Sequence, residues 1–145
     1  MRKTCVLGLV ILLAFTLGGC ASLGLKSYSE MSAYEKGLFF LKQYNTQLRN
    51  TFNQMVDPAI TQLDRDRMYA DLMEGRIGAA SVPINPKLTA VQKELINKKR
   101  AILVKMEPYI DMYVTVVLGG GIPSAENEQA ILDFIDQLTM LALGG

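Results

Sequence analysis

The sequence predicts an all-α fold, a small bundle of three or four helices in which the long helices are kinked. Three observations carry this reading. Apolar residues recur every three or four positions through several long segments, the spacing of a helix that buries one face. No segment alternates apolar and polar residues with the period of two that a half-buried strand needs. Proline and glycine clusters fall between the periodic segments and punctuate them.

Taken in order, Ser29 reads as the N-cap of the first helix, with Glu30 well placed in its positively charged first turn. Leu38, Leu41, Leu48, Phe52, Met55 and Ala59 form its apolar stripe. Phe39, Phe40 and Tyr44 widen that stripe, so the helix should pack against more than one neighbour. Asp57-Pro58 interrupts it, because proline lacks an N–H and disfavours helix in the preceding residue. A kink, or a restart with Asp57 as N-cap and Pro58 at the first helical position, is predicted there. Ile60, Leu63, Met68 and Leu72 then continue an apolar face to Glu74, and Gly75 is the predicted stop. One kinked rod and a helical hairpin both fit this stretch.

Arg76 to Pro86 holds Pro83 and Pro86 and shows no periodicity. It reads as a loop of about ten residues, where helix connections usually run to about eight at most. Ile77, Val82 and Ile84 are predicted to pack over the end of the bundle, a partner-binding loop being the alternative. The next helix starts near Lys87 or Thr89. Its stripe is Leu88, Val91, Leu95, Ile102, Met106, Tyr109, Tyr113 and Val116, with a kink predicted at Pro108 and an end at Gly119-Gly120-Gly121. Ser124 caps the last helix, with Glu126 and Glu128 near its positive end. Ile131, Phe134, Leu138 and Leu141 are its buried face, and Glu126, Gln129, Asp133 and Asp136 its wet one.

Ahead of this domain lies a segment of different character. Arg2 and Lys3 form a short basic region, Val6 to Leu17 an apolar one, and Leu17-Gly18-Gly19-Cys20 follows. That order of parts marks a processing segment. From Thr4 to Gly19 it is also shorter than the roughly 20 apolar residues that cross a bilayer. The four residues resemble the lipobox of bacterial lipoproteins. The resemblance implies cleavage between Gly19 and Cys20, diacylglycerol on the Cys20 thiol, and often an acyl chain on the new amino terminus. Each buried methylene contributes about 0.8 kcal/mol, so two chains anchor stably where one is marginal. It further implies a division into residues 1–19 (removed), 20–28 (lipidated tether) and 29–145 (helical domain). Ala21 and Ser22, rather than Asp, after the cysteine imply the periplasmic face of the outer membrane in a host with two membranes.

Composition narrows the function. The 15 Lys and Arg against 14 Asp and Glu give no basic excess for nucleic acid, and Arg2 and Lys3 belong to the removed segment. The chain has no histidine, the usual general base and zinc ligand. Cys5 is removed and Cys20 lipidated, so no thiol remains for a disulfide or a metal. Asp64, Asp66, Asp71 and Glu74, interleaved with Arg65 and Arg67, read as a solvated face of mixed sign. The expectation is therefore no enzyme, no metal and no cofactor beyond the covalent lipid. Lys98, Lys99 and Arg100, with Leu141 and Leu143 near the C-terminus, are the candidate partner contacts. The predicted function is a membrane-anchored helical docking module for another envelope protein or for a second copy. The alternative is a carrier or sensor of a small apolar ligand held among Phe52, Met55, Met106 and Tyr113.

Overall fold

The structure, a computed structural model, describes residues 26–77 and 81–143. Gly19 and Cys20, with the rest of the lipobox-like sequence, lie outside them. The described residues form four α-helices and one isolated antiparallel bridge, Val56 to Ile84. This is the all-helical bundle that the periodicity predicts.

The fold begins earlier than expected. Tyr28–Glu30 is a short 3-10 turn, and α1 runs Ala33–Met55. Ser32, not Ser29, caps α1, because Ser32 has a glutamate three residues on and Ser29 does not. The Ser32 hydroxyl accepts the Glu35 N–H at 3.2 Å and the Glu35 carboxylate accepts the Ser32 N–H at 2.7 Å. Ser29 instead shares a hydroxyl–hydroxyl bond with Ser27. Tyr28, assigned by sequence to the tether, packs its ring against Phe39 and Phe40.

The Asp57-Pro58 break separates two helices. Asp57 is no helix cap, because its carbonyl accepts the Ile60 N–H in a single turn that does not continue as helix. Its N–H donates to the Pro83 carbonyl while Asn85 N–H donates to the Met55 carbonyl. These two bonds clamp the loop across the end of α1. The Asp57 side chain accepts the Ala59 N–H in a local turn, and the restart waits for Thr61, whose hydroxyl accepts the Asp64 N–H. Helix α2, Gln62–Met73, folds back along α1, with the Tyr69 ring edge-on to Phe52 and Arg49 paired to Asp66. It stops at Gly75, whose φ of 70° is the left-handed conformation that glycine adopts without strain. Of the loop's apolar residues, Val82 is buried, Ile77 half-buried and Ile84 exposed, so Val82 is the one that seals the end of the bundle.

Helix α3, Ala90–Leu118, is capped by Thr89 and continues unbroken through Pro108. It lies antiparallel to α1, with Tyr113 edge-on to Phe40 at 5.1 Å and Lys99 beside Gln54. A Cβ built on Gly37 would sit 3.6 Å from the Tyr113 ring, so nothing larger than alanine fits under that ring. Helix α4, Ala125–Leu143, returns antiparallel along α3. Phe134 meets Tyr109, and the buried Asn127 donates to the Tyr109 carbonyl at 3.1 Å.

Two apolar clusters hold these pieces. One joins α1, α3 and α4 through Phe40, Leu103, Met106, Ile110, Tyr113, Ile131 and Leu138. The other, at the loop end, gathers Phe52, Met55, Val56, Val82 and Ile96, with Met68, Tyr69 and Leu72 of α2 packed against it. The α3 seam is Ile96, Lys99, Leu103, Met106, Ile110 and Tyr113, alternating by three and four. The predicted stripe is corrected by it: Val91 and Tyr109 are exposed, and Ile96, Leu103 and Ile110 take the core. Leu38 and Leu63, also placed on buried faces by sequence, are exposed.

Candidate functional site

The α1–α3 pair has two flanks. Helix α4 covers one. On the other, α2 packs on α1 and reaches only part of the way, which leaves an open apolar groove of about 220 Å³. Tyr44, Leu48, Phe52 and Met55 of α1 form one wall, Leu103 and Val104 of α3 the other, and Leu72 of α2 closes one end. Arg100 and Glu107 line it as well, the two charges of opposite sign on one helix. Burial pushes the Tyr44 hydroxyl up to about 12, helped by the nearby Glu107 and Asp111 charges, so Tyr44 stays a neutral donor. The Thr51 hydroxyl is spent on the Gln47 carbonyl at 2.8 Å. Pro108 adds an acceptor: it has no N–H to offer the Val104 carbonyl one turn earlier.

The candidate ligand residues divide. Phe52 and Met55 line the groove, whereas Met106 and Tyr113 are sealed in the larger cluster and cannot reach it. The cationic triplet divides too. Lys98 is exposed and pairs with Glu94 one turn earlier at 2.7 Å, and Arg100 faces the groove. Lys99 turns inward, only 6% exposed, and its ammonium donates to Gln54 at 3.1 Å. It belongs to the helix seam and is not the exposed partner contact that the sequence predicts. Lys99 and the half-buried Leu141 do share a hollow of about 400 Å³, with Gln54, Asn85 and Gln92 around it. Leu143 is exposed just beyond. The structure thus brings the two predicted contact patches, Lys98–Arg100 and the C-terminal leucines, to the same end of α3.

The acidic residues of α2 and its C-cap are engaged by hydroxyl and guanidinium partners. Asp64 bonds to Thr61, and Arg76 pairs with Asp71 and Glu74 at 2.6 and 2.7 Å. Among the described residues, no three acidic, histidine or cysteine side chains stand close enough to share a metal ion. Glu126 and Asp133 are exposed along α4.

At the opposite end, Glu128 of α4 accepts from Lys36 at 2.7 Å and from the Tyr28 hydroxyl at 2.8 Å. Sequence reasoning missed this cluster, whose members are about a hundred residues apart in the chain. Burial pushes the Glu128 carboxyl up, but the bonds from Lys36 and Tyr28 outweigh it and hold it below the usual carboxylate range. Exposed Glu35 is held at about 2 by its bonds to Lys26 and Ser32. Carboxyls lowered in the folded state stabilise it above their unfolded pKa, and that contribution is lost as pH falls through the folded value. The urea midpoint is therefore expected to fall between about pH 5 and about pH 2, and Glu128→Gln to flatten part of that fall. An unchanged pH profile in the variant would show that the Glu128 charge contributes nothing to the acid sensitivity of the fold.

Neither family models nor curated proteins nor solved structures give a match to this chain.

Proposed function

We propose that the protein is a lipid-anchored, non-enzymatic module of the bacterial cell envelope, whose α1–α3 groove receives an apolar helical segment of another envelope protein. The groove is the observation that carries this reading. Small-molecule sites usually enclose about 300–1,000 Å³ and bury most of their ligand. This groove is smaller and open along its length, which suits a few anchoring side chains of an amphipathic helix. Arg100 and Glu107 lie seven residues apart, about 10 Å along the helix axis, so they select a partner helix bearing opposite charges at matching spacing. The anchor is the diacylglycerol and acyl chain on Cys20, and outer-membrane attachment follows from Ala21 and Ser22. The absence of histidine from the chain supports a module without catalysis.

A photo-crosslinking residue in place of Val104, at the groove, tests this in living cells. The expected result is one protein adduct, abolished by Leu48→Asp and retained with a charged residue in place of exposed Leu63. A lipid adduct instead would establish the alternative, a carrier of an apolar ligand. An adduct indifferent to Leu48→Asp would overturn the groove as the docking site.

A further inference from the structure

The turn joining α3 to α4 exposes large apolar side chains. From Met112 to Ala125 the chain carries no charged residue. Leu118 is 73% exposed and Ile122 is 91% exposed, on either side of three glycines. Tyr34, in the first turn of α1 at the same end, is exposed as well. This is also the end at which the N-terminal segment joins the fold: Tyr28 bonds to Glu128, one turn into α4, and Gly37 lies under the Tyr113 ring.

We infer that Leu118 and Ile122 form a second membrane contact, inserting into the interface of the same bilayer that holds the lipidated N-terminus. The inference rests on the anchored reading of Cys20. Six residue steps separate Cys20 from Lys26, a reach of about 20 Å at full extension. Helix α3 is about 44 Å long, so the opposite end of the bundle, with the Val56–Ile84 bridge, stands beyond that reach. The bilayer is therefore the occupant within range of the apolar turn. The neighbouring charges are consistent with shallow insertion. Lys26 pairs with Glu35 and Lys36 with Glu128, which neutralises four of them, while Glu30 and Glu126 remain exposed and stay at headgroup level. An exposed tyrosine such as Tyr34 suits that interface, with an apolar ring and a polar tip.

The test uses the full chain, purified from bacterial membranes and reconstituted into phosphatidylethanolamine–phosphatidylglycerol vesicles. An environment-sensitive fluorophore is attached at Ile122→Cys or, at the far end, at Leu63→Cys. Intact mass spectrometry of the same samples reports acylation of Cys20. Several-fold stronger quenching by nitroxide-bearing lipids at position 122 than at position 63 is expected. Equal quenching at the two positions in an acylated protein overturns the inference and leaves the anchor intact. An unacylated Cys20 overturns the anchored reading and the inference with it.

Discussion

Phe40→Ala is expected to lower the free energy of unfolding by about 3–5 kcal/mol, the usual cost of emptying a fully buried aromatic site. Phe40 is completely buried and touches Tyr113, Phe39 and Tyr28, so the cavity would open where α1, α3 and the 3-10 turn meet. Proteins of this size are stable by about 5–15 kcal/mol, so the variant would lose a large fraction of its margin. Urea unfolding followed by circular dichroism measures it. Leu38→Ala, two residues away and half exposed, is expected to cost about 1 kcal/mol or less. Equal costs at the two positions would show that α1 presents a different face to the core.

Pro108→Ala is expected to act in the opposite direction, raising stability by up to about 3 kcal/mol. Pro108 is exposed in the middle of a continuous helix, where its ring crowds the Val104 carbonyl and leaves it without an intrahelical partner. Alanine restores that hydrogen bond. Because Val104 lines the groove, the same variant is expected to reduce the crosslinked adduct from position 104, exchanging function for stability. Thermal unfolding and adduct yield, measured together, check both halves. A destabilised variant would show that the packing of Ile110 and Tyr113 requires the helix path that proline imposes.

Much of the fold was legible in the sequence because it is set locally. Thr89, Ser124, Gly75 and the triple glycine each act through their own backbone neighbourhood, and Ile131 and Leu138 lie on an unambiguous stripe. The errors come from helices with two apolar flanks. In α3, Leu95, Ile102, Tyr109 and Val116 repeat every seven residues, directly beside Ile96, Leu103, Ile110 and Val117. A helix sandwiched between α1 and α4 needs both rows, and periodicity alone does not say which is central. The buried seam from Ile96 to Tyr113 also includes Lys99, so a polar residue at a core position hid it. The restart at Thr61 was obscured for another reason: Asp57 spends its acceptors on a single turn to Ala59 and Ile60, beside a Pro83 loop that only the tertiary fold brings near. The groove was illegible because it depends on how far α2 extends along α1, and no residue of the groove announces that distance.

The length of α3 has a consequence for the partner. Val104 precedes Leu118 by fourteen residues of uninterrupted helix, about 21 Å. With Leu118 at the lipid surface and α3 upright, the helix acts as a ruler that holds the groove at that height. A partner segment would then have to present its apolar face roughly four turns above the headgroups, which favours a stalk or an ectodomain helix over a segment lying in the bilayer.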